Sequence, residues 1–225
     1  VPIDILIFAA IAAVLIFRLR SILGTRHGDE RQRQNPFSGA PGAAPAVIEI
    51  DPAPRDASAA LAGMAAHVSP DPATLGAIET GLTDIAAADA AFSLEQFMQG
   101  ARAAFGMIVA AFASGDLETL KTLLSPKLFA DFSSAIKARQ ALGHTLETTL
   151  HRIKAARIIE ARLAGTMAYV TVDFDAEETS VTKNAEGQPV EGNPDHLFSV
   201  RDIWTFTRDT RSEDPNWMLI ETRTP

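Results

Sequence analysis

The hydrophobic period of this chain changes at Gly143, and that change constrains its fold more than any other feature. Before it, apolar residues recur at spacings of three and four: Leu75, Ile78, Leu82 and Ile85, then Phe97, Ala101, Phe105, Ile108 and Phe112. Shorter stripes follow at Leu117, Leu120 and Leu124 and at Phe129, Phe132 and Ile136. Each stripe covers one face of a helix. Ser93 with Gln96, Asp116, and Ser125 before Pro126 read as helix starts, while Gly115 and Gly143 read as stops. After Gly143 the period is two. Ile153, Ile158 and Ile159 belong to a first, irregular strand interrupted by Lys154, Arg157 and Arg162. Ala168, Val170, Val172 and Phe174 then alternate with polar residues, as do Phe198, Val200, Trp204 and Phe206, and WMLIET ends the series. Turns fall at Ala164–Gly165, around Asn184–Gly187, around Gly192–Asp195 and at Asp214–Asn216. Helices first and antiparallel strands afterwards specify an α+β domain, its helices covering one face of a strongly bent four-stranded sheet.

The N-terminal part obeys different rules. Ile5, Leu6, Ile7 and Phe8 open an apolar run that ends in Val14, Leu15, Ile16 and Phe17, with Arg18 and Arg20 directly after it. If the two arginines snorkel, a helix over 3–23 reaches roughly 30 Å, the thickness of a bilayer core. Residues 3–23 are therefore expected to be a retained anchor, with an interfacial or buried helix as the alternative. The arginines following the run place the N-terminus outside and the remainder in the cytoplasm. Residues 24–72 read as a basic collar and a Pro/Ala-rich acidic linker, within which Ala46 to Ile50 reads as loose linker before it reads as a segment that could pair or dock, and residues 73–225 as the folded domain.

Charge and composition exclude several functions. The formal charge is −8, and there is no cysteine, so disulfides, thiolate metal sites and a cysteine nucleophile are excluded. That acidity argues against nucleic acid as a partner. It is unevenly spread: residues 1–35 carry +2, residues 36–100 carry −7 and residues 101–225 carry −3. The histidines at 27, 67, 144, 151 and 196 show no metal-ligand spacing, and no GxSxG, Walker-type or GxGxxG motif occurs. No cofactor, metal or catalytic residue is therefore expected. The best enzymatic candidate is Asp202, which period two places on the face of Val200, Trp204 and Phe206. A carboxyl in an apolar cup could act as a base in an isomerase or lyase, or could be paired with a nearby arginine or turned outward by a bulge.

Two surfaces suit binding better. Phe105, Ile108, Phe112, Ile158, Val172, Trp204 and Phe206 can line an apolar cup for a lipid or other hydrophobic ligand, or form plain core. Lys137, Arg139, Arg152, Lys154, Arg157 and Arg162 lie against only Glu147 and Glu160, a local balance of +4. Such a cluster can face anionic lipid headgroups or an acidic partner, or be a solvated strand face.

FMQGARAAFGMIVAAFASGDLETLKTLLSP at Phe97–Pro126, AIKAR at Ala135–Arg139, VEGNPD at Val190–Asp195, and RDIWTFTRD with PNWML between Arg201 and Leu219 carry a family resemblance. They resemble the C-terminal domain of the forty-four-kilodalton TIM family, the peripheral inner-membrane subunit of the mitochondrial presequence translocase. The N-terminal ILIFAAIAAVLIFRLRSILGTRHGDE, followed by NPF, resembles the membrane-anchored alphaproteobacterial relatives of the TimA type. The likeness covers residues 3–35 and about 75–222. It implies a nuclear-transport-factor-two-like cone with an apolar pocket. It also implies an adaptor role in protein translocation or membrane-protein assembly at a bacterial inner membrane, with anionic lipids such as cardiolipin and a translocase or chaperone as partners. The chaperone-recruiting segment of the mitochondrial members has no evident counterpart, and the resemblance implies no catalytic residue.

Overall fold

A computed structural model describes residues 61, 63–69 and 71–225. The expected anchor at 3–23, the collar and most of the linker lie outside the described residues. Among the described residues five helices precede four strands: α1 Met64–His67, α2 Pro72–Ala88, α3 Leu94–Ser114, α4 Leu117–Leu123 and α5 Pro126–Ala141, then β1 Thr145–Ala164, β2 Met167–Lys183, β3 Pro189–Asp209 and β4 Met218–Arg223.

The helix ends follow local chemistry. Ser93, Asp116 and Ser125 each accept a backbone N–H three residues on, satisfying a donor that the first turn leaves open. Gly115 closes α3 at φ 76°, a left-handed conformation that side chains with a Cβ disfavour. Helix α3 has the length and apolar content of a membrane span. Its residues Phe97, Met98, Ala101, Phe105 and Ile108 are nevertheless buried in the core, so it is the central helix of the domain.

The strands form one antiparallel sheet in the order β1-β2-β3-β4. Ile158, Val172 and Trp204 align across three strands, as do Ala161, Val170 and Phe206, so their side chains share the face that meets the helices. Three register shifts in β1, at Leu150/Arg152, Ile153/Ala155 and Ile158/Glu160, bend the edge strand around that core. Helix α2 packs on β1 at Gly81, where a Cβ would fall 1.9 Å from the Ala161 carbonyl oxygen. No residue but glycine fits that approach.

Both sheet edges are tied to the segments that follow a helix. Val68, after α1, bridges Ile158 in the parallel sense, and Ser69 N–H donates to the Ile158 carbonyl at 2.9 Å. Leu124, after α4, bridges Leu219 on β4 in the same way, with Ser125 N–H on the Leu219 carbonyl at 2.8 Å.

Two boundaries differ from the sequence reading. The first strand begins at Thr145, eight residues before Ile153, because Leu146, Thr148 and Leu150 already alternate against β2. Gly192–Asp195 is not a hairpin tip. It lies inside β3, where Asn193 pairs with Ser180 while Phe198 pairs with Glu178, so the extra residues form a bulge. Glycine at 192 has φ 77°, and a Cβ there would meet the Ser180 carbonyl oxygen at 2.2 Å.

Candidate binding surfaces of the sheet

The face of the sheet turned away from the helices is a charge ladder. Period two places Arg152, Lys154 and Arg157 of β1 beside Asp173, Asp175 and Glu177 of β2, with Arg201 of β3 beyond them. Arg152 grips Glu177 through two bonds of 2.7 and 3.1 Å, and Arg201 grips Asp173 through two of 2.8 and 2.6 Å. Lys154 reaches Asp175 at 3.0 Å and the Ser199 hydroxyl at 2.7 Å. These contacts hold the Glu177 carboxyl below its ordinary range, through the hydrogen bond from Arg152 first, and raise Arg152 and Arg201 above theirs.

The six cations singled out in the sequence therefore sit in different surroundings. Arg152 and Lys154 are paired within the sheet. Arg162 approaches Glu160 at 3.5 Å and lies 3.8 Å over the Tyr169 ring, a cation–π contact. Arg139 donates to the carbonyls of Phe112 and Ala113 at 2.9 Å each, closing the C-terminal end of α3, and burial lowers its pKa. Lys137 and Arg157 are exposed, and no ion pair holds either of them among the described residues. Arg201, Asp173, Asp175 and Glu177 were not singled out from sequence. The alternation of β2 and β3 is the signal that could have found them.

On the opposite face, Phe105, Ile108, Ile158, Val172, Trp204 and Phe206 are all buried in one cluster, with Phe112 packed half-buried against it. Phe174, which belongs with them, stacks on Phe105 at 4.6 Å between centroids, and Phe105 meets Trp204 at the same distance. Toward the strand ends that leave this cluster the same face carries Asp202 and Glu178. Both are half-buried, and neither has a hydrogen-bond or ion-pair partner among the described residues. Burial raises both carboxyls, and Asp202 adds to the rise at Glu178. Asp202 thus lies on the face that period two assigns it and without an arginine partner. Glu178 was missed, although it follows Phe174 by four residues and so shares its face.

Among the described residues no group of three His, Asp or Glu side chains could hold a metal ion. The arrangement is that of an α+β domain: helices on a bent antiparallel sheet, an aromatic interior and a charged outer face.

Comparison with known proteins places it more narrowly. Residues 78–224 match the model of the Tim44-like domain, and the chain belongs to that family. A probable mitochondrial import inner membrane translocase subunit tin-44 from Caenorhabditis elegans is 26% identical over 144 residues, covering 62% of this chain and 34% of the relative. The human mitochondrial import inner membrane translocase subunit TIM44 is 24% identical over 143 residues, covering 62% and 32%. The chain thus spans about a third of the length of these relatives. Both relatives carry the name of a mitochondrial import inner membrane translocase subunit. Among solved structures, the intermembrane-space region of the chloroplast protein ARC6 aligns with TM-score 0.39 and 15% identity over 54% of this chain and 88% of that one. A nuclear transport factor 2-like superfamily protein from Salmonella enterica aligns with TM-score 0.38 and 12% identity over 59% and 92%.

Proposed function

We propose that this protein is an inner-membrane adaptor in protein translocation or membrane-protein assembly. Residues 3–23 anchor it in a bacterial inner membrane, residues 24–72 tether it, and the α+β domain of residues 73–225 works from the cytoplasmic side without catalysing a reaction. The observation that carries the reading is the cationic edge strand of a Tim44-like domain. On β1, Arg157 is exposed and without an ion pair among the described residues, and Arg152 keeps 65% of its side-chain surface exposed even while paired. Lys137 adds an exposed cation on α5, with no ion pair among the described residues. Anionic headgroups such as those of cardiolipin would exchange for the carboxylates of β2, at about 1 kcal/mol per basic residue near the surface. A translocase or chaperone subunit is the protein partner that family membership favours.

The test is flotation of the chain lacking residues 1–35 with vesicles of phosphatidylcholine alone or with cardiolipin. Binding should require cardiolipin, weaken with added salt, and fall several-fold in the Lys137→Glu/Arg157→Glu variant. Binding that ignores salt and both substitutions overturns the basic-face reading.

A second reading takes the inner face as a site for a small hydrophobic ligand, or for an isomerase or lyase, with Asp202 as base. It is supported by Asp202 and Glu178, half-buried beside the aromatic cluster and without a partner among the described residues. Asp202→Asn would then abolish turnover or ligand uptake and leave vesicle binding intact.

A further inference from the structure

Strand β1 is an edge strand, and its two halves are covered unequally. At Ile158 the incoming chain already lies along the edge, through the parallel bridge of Val68 and the Ser69 to Ile158 hydrogen bond. There Ala156, Ile158 and Ala161 are buried. From Thr145 to Leu150 the strand pairs with β2 in unbroken register but has no neighbour on its other side among the described residues. Along that stretch Leu146, Thr148 and Leu150 are only half-buried, while Thr145, Glu147 and Thr149 are exposed. A long regular edge with a half-covered apolar row is a template for another strand.

The adjoining helix supplies a second wall. Gly106 of α3 leaves room for Leu150, whose Cδ2 lies 3.5 Å from where a Cβ on that glycine would sit. On the opposite face of the sheet the free edge runs into the exposed His151 and Arg152 and then Lys154.

We infer that residues 46–50, the AVIEI segment of this same chain, dock as a fifth strand on Thr145–Leu150, parallel to β1. The segment matches the seat by period. Ile48 and Ile50 would fall on the side of Thr148 and Leu150, while Glu49 would lie across from Thr149, between Glu147, which Lys183 neutralises, and His151, and Asp51 beyond would face His151 and Arg152. It also matches by direction and length, because Val68 already runs parallel to Ile158. The connection 51–63 can extend to roughly 40 Å, against about 25 Å of strand between Leu150 and Ile158. Pro52 and Pro54 end the strand where the connection must leave the edge. The docked acidic segment shields the cations of β1 in its resting state. A partner that takes the edge or the cations has to displace it, so the tether competes with that partner.

The docking rests on the edge and not on the lipid reading, and its test needs no lipid. The natural chain contains no cysteine. In the full 225-residue chain, Glu49→Cys with Thr149→Cys should form an intramolecular disulfide under mild oxidation, at a rate independent of dilution. Glu49→Cys with Glu221→Cys, which offers the outer strand β4 instead, should stay mostly unlinked. Amide hydrogen exchange at residues 145–150 should be at least tenfold faster in the Ile48→Pro variant of the otherwise natural chain. Equal linking to both positions, linking mainly between two chains, or exchange unchanged by Ile48→Pro each overturns the inference. Linking between chains would assign the edge to a second copy.

Discussion

Arg208 of β3 forms a buried ion pair with Asp89, the residue that ends α2, and their side chains keep only 7% and 6% of their surface exposed. Further hydrogen bonds hold both members of the pair. Arg208 also donates to the carbonyls of Asp214 and Ser212, at 3.0 and 3.1 Å, and Asp89 accepts from Ala91 N–H at 2.9 Å. One guanidinium therefore fastens the α2–α3 junction to the β3–β4 turn, at the end of the sheet farthest from the free edge of β1.

Removing one partner of such a pair strands the other charge in the interior, which costs about 3–5 kcal/mol, more than the pair itself contributes. Asp89→Ala and Arg208→Ala are each expected to lose stability of that order in urea unfolding. The double variant should lose less than the two losses added together. Additive, small losses would mean that water reaches the pair.

Gly81 and Gly76 lie five residues apart on α2, and the structure assigns them opposite responses. A methyl group at Gly81 would meet the Ala161 carbonyl oxygen, so Gly81→Ala must push α2 off β1, at about 1–3 kcal/mol or more. At Gly76 nothing lies within 4 Å of the added atom, and alanine there should stabilise the helix by up to about 1 kcal/mol. Thermal unfolding of the two variants, side by side, reads both signs. A Gly81→Ala variant as stable as the natural chain would refute the close contact between α2 and β1.

This contrast also shows what the sequence could carry. The stripe Phe97, Ala101, Phe105, Ile108 and the alternation Val170, Val172, Phe174 report burial directly, because a side chain's period decides which face it occupies. Helix caps at Ser93, Asp116 and Ser125 are local hydrogen bonds and were legible for the same reason. The pairing of strands is not local. That Arg152 meets Glu177 and Arg201 meets Asp173 depends on a register set by three bulges in β1 and the bulge in β3, and no composition of six cations reveals which carboxylates stand beside them. The cations counted along β1 therefore looked freer than they are, since Arg152 and Lys154 draw their counter-charges from β2.

Asp202 and Glu178 make stability depend on pH in a recognisable sense. Burial raises both carboxyls in the folded state, so the folded chain holds these protons to higher pH than the unfolded chain does. Where the folded state binds more protons, stability falls as pH rises. Their contribution is thus fully present below the ordinary carboxyl range and is lost as pH climbs through the raised values. Glu95, Glu177 and Asp209, held low by His67, by Arg152 and by the Arg211 backbone N–H respectively, pull in the opposite direction, losing stability as pH falls. Comparing variants with the natural chain cancels that background. Asp202→Asn and Glu178→Gln are each expected to be more stable than the natural chain in urea at pH 7, with the gain vanishing near pH 3. The double variant should gain less than the two gains summed, because each carboxylate raises the cost of ionising the other. A gain that persists at pH 3 would trace to packing and not to charge, and a loss at pH 7 would mean that these carboxylates are held ionised by a partner.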